Sequence, residues 1–146
     1  MELRFFKKEE ITESKAIYAG VYQFKIGLVR DSEDKYLSLY IGESYSMLIR
    51  CSEHLYEVFH NDPSYFGFTQ DNINDDSLML IVDVYKSISL PDDISNSERD
   101  NILRNKEIEA IQALHPILQN ETNDHVKPNC VEIVQAAIIK LKSNSK

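Results

Sequence analysis

Long apolar runs, cysteine-based metal motifs and an excess of basic charge are all missing from this sequence of 146 residues. Without a run of about 18 apolar residues, no transmembrane helix is expected. The first ten residues are rich in charge, which is not typical of a secretion signal. Neither Cys51 nor Cys130 has a Cys-x-x-Cys partner, and both lie in apolar helical patterns. We therefore interpret them as core residues in a reducing compartment, and we expect a cytoplasmic protein with no structural zinc.

The formal net charge of −8 argues against tight, non-specific binding to duplex DNA. The acidity is uneven, however, since residues 61–100 carry nine acidic and two basic side chains. The remaining segments are close to neutral. A nucleic-acid substrate is therefore compatible with the sequence, and the acidic middle segment is a candidate surface for a basic protein.

Residues 1–146 fit one α/β (α+β) domain with enough apolar side chains for a core. Strict alternation predicts strands at residues 19–26 and 36–41. It places Tyr40 on the wetter face of the second of these strands. Residues 78–85 are almost all apolar, which predicts a strand that is covered on both faces.

The first long helix follows the second strand, with Ser44 or Ser46 as its cap. Helical periodicity predicts that Arg50, His54 and Glu57 lie opposite its apolar stripe, where they can meet solvent or a ligand. That stripe consists of Leu48, Cys51, Leu55, Val58 and Phe59.

A second long helix, which Ser95 and Glu98 open as a capping box, runs to about Leu114. Glu107 lies in the middle of its apolar stripe, whereas Glu109 faces away. A carboxylate on a buried face is costly unless it is paired or binds a cation, so Glu107 is a candidate metal ligand. A last helix is predicted at residues 128–142.

Five short features stand in order along the chain: Gly20-Val21-Tyr22, Tyr40-Ile41-Gly42, Arg50, His54 and Glu107. Together they resemble the GIY-YIG nuclease family over residues 19–120. The resemblance implies a small three-stranded antiparallel or mixed sheet flanked by helices. We expect the last helix, residues 128–142, to pack on this core. The resemblance also implies endonuclease activity on DNA with one divalent metal ion, Mg²⁺ or Mn²⁺.

The residue types suit this chemistry. Glu107 offers a hard oxygen ligand for the metal ion, and Arg50 can bind the scissile phosphate through two hydrogen bonds. Tyr22 is the candidate general base, and His54 is a second candidate for proton transfer. Tyr40 is expected to orient the attacking water or to donate to the phosphate. The candidate substrate-binding residues are Gly42, Ser44, Lys35 and Asn120.

Two positions depart from the family pattern. Glu43 follows the glycine where many members carry a basic residue or glutamine. The asparagine expected three residues after Pro116 is replaced by Gln119, so we favour Asn120 for that role. No helix-turn-helix, zinc finger or strongly basic extension is evident, so the domain itself, a homo-oligomer or a protein partner is expected to supply targeting. The alternative hypothesis is a catalytically inactive GIY-YIG-like module that contacts a basic protein.

Overall fold

The computed structural model describes residues 1–120 and 125–144 and shows a mixed α+β fold around a four-stranded sheet. The strand order is β1-β4-β2-β3, which makes β3 one edge of the sheet. The strands are β1 (Glu2–Phe5), β2 (Gly20–Leu28), β3 (Leu37–Ser44) and β4 (Leu78–Ser87).

The prediction of three strands was wrong by one, because β1 adds to the far edge and pairs parallel with β4. This strand has only four residues, half of them charged, and its partner lies more than seventy residues away in the chain. Arg4 of β1 extends into a cluster of ion pairs with Glu33 and Asp83, which Lys25 completes. Neither the pairing nor this cluster can be detected from local periodicity.

The described residues include five α-helices besides the sheet. The helix opened by Ser95 is confirmed, since the Ser95 hydroxyl accepts a hydrogen bond from the Glu98 amide at 3.1 Å. The helices are α1 (Lys8–Thr12), α2 (Met47–Tyr56), α3 (Gln70–Ile73), α4 (Asn96–Leu114) and α5 (Cys130–Asn144). A π-helical turn, Glu57–Asn61, continues α2. Two 3₁₀ turns span Glu33–Lys35 and Pro63–Phe66.

The two faces of the sheet carry separate clusters of apolar side chains, because successive residues of a strand point to opposite faces. Tyr22 of β2 joins the larger cluster, to which α2 and α5 contribute. Val21, the residue before it, packs with Ile41 against Ala110 of α4 in the smaller cluster. The sheet edge at β3 therefore lies between α2 and α4, which carry Arg50 and Glu107.

Across the described ranges 1–120 and 125–144, none of the helices has the length and apolar character that crossing a membrane requires.

Candidate functional site

Tyr22 and Gly42 occupy opposed positions on the antiparallel strands β2 and β3. A β-carbon built on Gly42 would lie 2.2 Å from the hydroxyl oxygen of Tyr22 and 2.3 Å from Cζ of the ring. The phenol of Tyr22 therefore occupies the space that any other residue at position 42 would need. The two tripeptides that carry the family resemblance are thus adjacent in the fold, and the glycine of one makes room for the tyrosine of the other.

His54 is buried, with 1 % of its surface exposed, so its predicted exposure was wrong. The buried face of α2 consists of Met47, Cys51, His54 and Leu55, a set spaced by three and four residues with the imidazole inside it. The predicted stripe instead took Leu48, which is only half-buried. Helical periodicity, measured against a stripe that began at Leu48, therefore assigned the imidazole to the solvent face, although the fold supplies it with buried hydrogen-bond partners.

Both ring nitrogens of His54 are hydrogen-bonded to tyrosine hydroxyls. Nε2 lies 2.8 Å from the hydroxyl of Tyr22, and Nδ1 lies 2.9 Å from the hydroxyl of Tyr65. Tyr65 belongs to the 3₁₀ turn Pro63–Phe66, within residues 60–77, for which the sequence pattern indicates a loop with a short helical turn. The two hydroxyls and the imidazole form one continuous chain of hydrogen bonds from β2 to this turn.

Burial decides the protonation states of this chain. It lowers the pKa of His54 to about 3, with a further contribution from the nearby positive charge of Arg50. The imidazole is therefore neutral at neutral pH. Burial also raises the pKa of Tyr22 well above its ordinary value, and the Arg50 charge only partly opposes this effect. A resident phenolate at Tyr22 is consequently not expected.

Tyr40 is half-buried, whereas its two neighbours in the strand are buried, so it is the wetter of these positions as the alternation predicted. Its ring centroid lies 5.3 Å from that of His54 and 4.9 Å from that of Phe66. The register of β2 against β3 shifts at Phe24, which pairs with Tyr40 on the face that packs against α2. The structure therefore brings Tyr40 to the same imidazole as Tyr22.

Arg50 and Glu107 line one pocket of about 380 Å³ at the end of β3. Glu107 is 4 % exposed on the buried face of α4, as its position in the apolar stripe predicted. Arg50 is half-exposed and makes an ion pair with Glu53 at 2.8 Å. The predicted Ser44 is also part of this wall, and its hydroxyl accepts a hydrogen bond from the Ser46 amide at 2.9 Å.

The same pocket contains charged residues that the sequence analysis did not select. Asp100 and Arg104 stand seven and three residues before Glu107 on α4, so the three share one helical face. This spacing in the sequence could have predicted the cluster. The prediction rested instead on Glu107 alone, because it lies inside the apolar stripe. Glu43 lines the pocket as well, which makes the wall a mixture of three carboxylates and two guanidinium groups.

The donor set suits a hydrated Mg²⁺ or Mn²⁺ ion better than a closed metal cage. Glu107 provides a buried carboxylate at the pocket wall, and magnesium is commonly held by one or two carboxylates, its own waters and a substrate phosphate. Among residues 1–120 and 125–144, no group of three or more histidine, cysteine or acidic side chains is placed to hold a metal ion.

Lys35 and Asn120 are not brought to this pocket. Lys35 is exposed at the start of β3, whereas Ser44 ends that strand, so the two are separated by its full length. Asn120 is exposed and lines a different groove with His115 and Lys127. Gln119, the residue passed over, is the buried amide of the pair, and it hydrogen-bonds the backbone of Ile41.

Comparison of the chain with protein-family models, with curated proteins and with solved structures gives no significant match.

Proposed function

We propose that the chain is a divalent-metal-dependent endonuclease that hydrolyses phosphodiester bonds of DNA. One observation carries the proposal. Arg50 of α2 and the buried Glu107 of α4 line the same pocket, although their helices pack on opposite faces of the sheet. The charges of both residues also act on the phenol of Tyr22. A candidate phosphate-binding cation and a candidate metal-binding carboxylate thus line one pocket at the end of β3, the strand that Tyr22 opposes at Gly42.

In this proposal each group has a separate task. Arg50 binds an oxygen of the scissile phosphate, because a guanidinium group matches that anion with two parallel hydrogen bonds. Arg104 supplies a second cation at the same wall. Glu107 holds the metal ion, which when bound neutralises charge that develops on the phosphate.

Tyr22 acts as the general base toward the attacking water, and His54 makes this role feasible. A phenol with a raised pKa cannot store negative charge at neutral pH, so it can accept a proton only while it gives up its own. The Nε2 atom of His54, 2.8 Å away, is the acceptor that the structure provides.

Cleavage of supercoiled plasmid and of branched DNA, in Mg²⁺, Mn²⁺ or EDTA, tests the proposal. Nicking that needs the metal ion is expected, and Glu107→Gln and Arg50→Ala are each expected to lower it at least a hundredfold. Glu109→Gln is the matched control for the first variant, because Glu109 is exposed on the same helix. Arg30→Ala, at an exposed site beyond β2, is the control for the second.

Metal-dependent cleavage by the controls but not by the two variants would support the enzyme. No cleavage of either DNA, or equal rates in all five proteins, would refute it.

The second candidate is a binding module that contacts a basic protein. It is favoured by the three carboxylates in the pocket wall, Glu43, Asp100 and Glu107, and by the acidity of residues 61–100, to which Asp100 belongs. Two results together would support the binding module. Every cleavage assay would fail, and a basic peptide would bind saturably, with weaker binding in Asp100→Asn.

A further inference from the structure

Tyr65 connects the buried end of the hydrogen-bond chain to the protein surface. Its hydroxyl is 2.9 Å from Nδ1 of His54, and the residue is 36 % exposed. It lines a second pocket, of about 440 Å³, together with Arg50, Glu53 and Tyr56. One imidazole nitrogen therefore contacts Tyr22. The other is connected to solvent through the hydroxyl of Tyr65.

The burial of Tyr22 sets the direction of this chain. Tyr22 is 1 % exposed. Within residues 1–120 and 125–144, the hydrogen-bond partner of its hydroxyl is Nε2 of His54. A buried hydroxyl must place its hydrogen on an acceptor, so Nε2 accepts from Tyr22. The neutral ring then carries its proton on Nδ1 and donates it to Tyr65.

We propose that Tyr65 is a positioning residue that fixes this tautomer of His54 and gives the proton of Tyr22 a route to solvent. The proposal rests on the nuclease function above. As the attacking water transfers a proton to the oxygen of Tyr22, the Tyr22 O–H bond breaks and its proton forms a bond with Nε2. The Nδ1–H bond breaks toward the oxygen of Tyr65, whose own proton passes to bulk water.

The net result of this step is the transfer of one proton from the attacking water to bulk solvent. Tyr22 and Tyr65 are neutral before and after it, and His54 exchanges one neutral tautomer for the other. A neutral imidazole with two hydrogen-bonded nitrogens can relay a proton without becoming charged.

Storage of the proton on His54 is the competing possibility. It would create an imidazolium among five aromatic rings with centroids 5.3 to 5.8 Å from its own. Burial lowers the pKa of His54 to about 3, which opposes this charged form at neutral pH. A proton arriving at Nε2 is therefore expected to leave from Nδ1, where the Tyr65 oxygen is the acceptor.

Nitrogen NMR of His54 tests the tautomer directly and requires no activity. In the wild-type protein at neutral pH, Nδ1 is expected to carry the proton and Nε2 to be bare. In Tyr65→Phe the ring of residue 65 is retained, but the hydroxyl is lost. We expect the Nδ1 proton to lose its hydrogen bond and the Nε2-protonated form to gain population. Tyr56→Phe is the matched control, because Tyr56 lines the same pocket but its ring packs at a tilt against His60.

Cleavage kinetics test the proton route. Tyr65→Phe is expected to lower kcat at least tenfold with KM unchanged, and Tyr56→Phe is expected to leave both at wild-type values. A purely structural role would instead lower the unfolding midpoint and leave the tautomer of the folded protein unchanged.

Three results would overturn the inference: a wild-type ring protonated on Nε2, a Tyr65→Phe variant with wild-type kcat, or an equal loss in Tyr56→Phe. If the wild type cleaves no DNA, the nuclease proposal fails and the catalytic route fails with it. An Nε2-protonated ring in a protein that does cleave overturns the route alone, so the two failures are distinguishable.

Discussion

The side chain of Gln119 forms a pair of hydrogen bonds with the backbone of Ile41, the residue before Gly42. The Ile41 amide donates to Oε1 at 2.8 Å, and Nε2 donates to the Ile41 carbonyl at 2.8 Å. The preceding residues, Ile117 and Leu118, bond the backbone of β3 as well. The outer edge of β3 is thereby closed by residues 117–119, which holds the strand against β2 where Tyr22 crosses Gly42.

Gln119→Leu is expected to destabilise the protein by about 2 to 4 kcal/mol, because it leaves the buried amide and carbonyl of Ile41 without partners. Urea unfolding measures this loss. Asn120→Leu is the control, since Asn120 is exposed and its replacement is expected to change the free energy of unfolding by less than about 0.5 kcal/mol. Equal losses in the two variants would contradict the assigned role of Gln119.

Gly42→Ala is expected to displace the phenol of Tyr22 and to lower kcat about a hundredfold, the effect of roughly 1 Å of misplacement in a catalytic group. The overlap should also cost about 1 to 3 kcal/mol of stability. Gly27→Ala is a matched control, because a β-carbon there would lie 2.3 Å from Tyr36 at the other end of the hairpin.

The two glycine variants separate stability from catalysis. Gly27→Ala should lose stability and retain cleavage by the folded fraction, as measured by cleavage rates and thermal unfolding on the same samples. Full activity in Gly42→Ala would show that Tyr22 does not take part in the reaction.

Stability at low pH should depend on Glu33. Hydrogen bonds from Arg4 and Lys25 lower its pKa from 4.5 to about 2 in the folded protein. Since the folded value lies below the unfolded one, this contribution is fully present above about pH 4.5 and is lost as the pH falls toward 2. The loss is modest, because about a third of the Glu33 side chain is exposed and solvent weakens the pairs.

Glu33→Gln is therefore expected to flatten the decline in unfolding free energy between about pH 4.5 and 2, as measured by urea titration at each pH. Asp34→Asn, at the exposed neighbouring carboxylate, should keep the wild-type profile. An unchanged profile in Glu33→Gln would exclude these pairs as the source.

Local pattern accounts for most of the fold. Alternation located β2 and β3, a continuous apolar run located β4, and the capping box at Ser95 located α4, since each of these signals arises within a few adjacent residues. β1 was not predicted, because its pairing with β4 is non-local and its four residues show neither a turn signal nor a periodic pattern.

Site residues could be predicted where a charged side chain stood in an apolar pattern. They could not be predicted where the contacting residues lie elsewhere in the sequence. Glu107 conflicted with its apolar stripe, and in the fold it is buried and lines the same pocket as Arg50. The environment of His54 depends on Tyr65, eleven residues later in a turn without periodicity. Asn120 was preferred to Gln119 from a family pattern alone, because the contact of the Gln119 amide with Ile41 joins residues 78 positions apart in the chain.

Glu43→Gln tests what the acidic wall of the pocket does. If the pocket binds DNA, the variant should lower KM about fivefold at low salt, because a like charge a few ångströms from a phosphate costs about 1 kcal/mol in water. This decrease in KM should become smaller at higher salt, because ions screen the repulsion between the carboxylate and the phosphate. If the pocket instead binds a basic protein, the same variant should weaken that complex. A nicking assay and a peptide-binding titration on one preparation compare the two. Loss of metal-dependent cleavage without a change in KM would contradict both expectations and would make Glu43 a metal ligand beside Glu107.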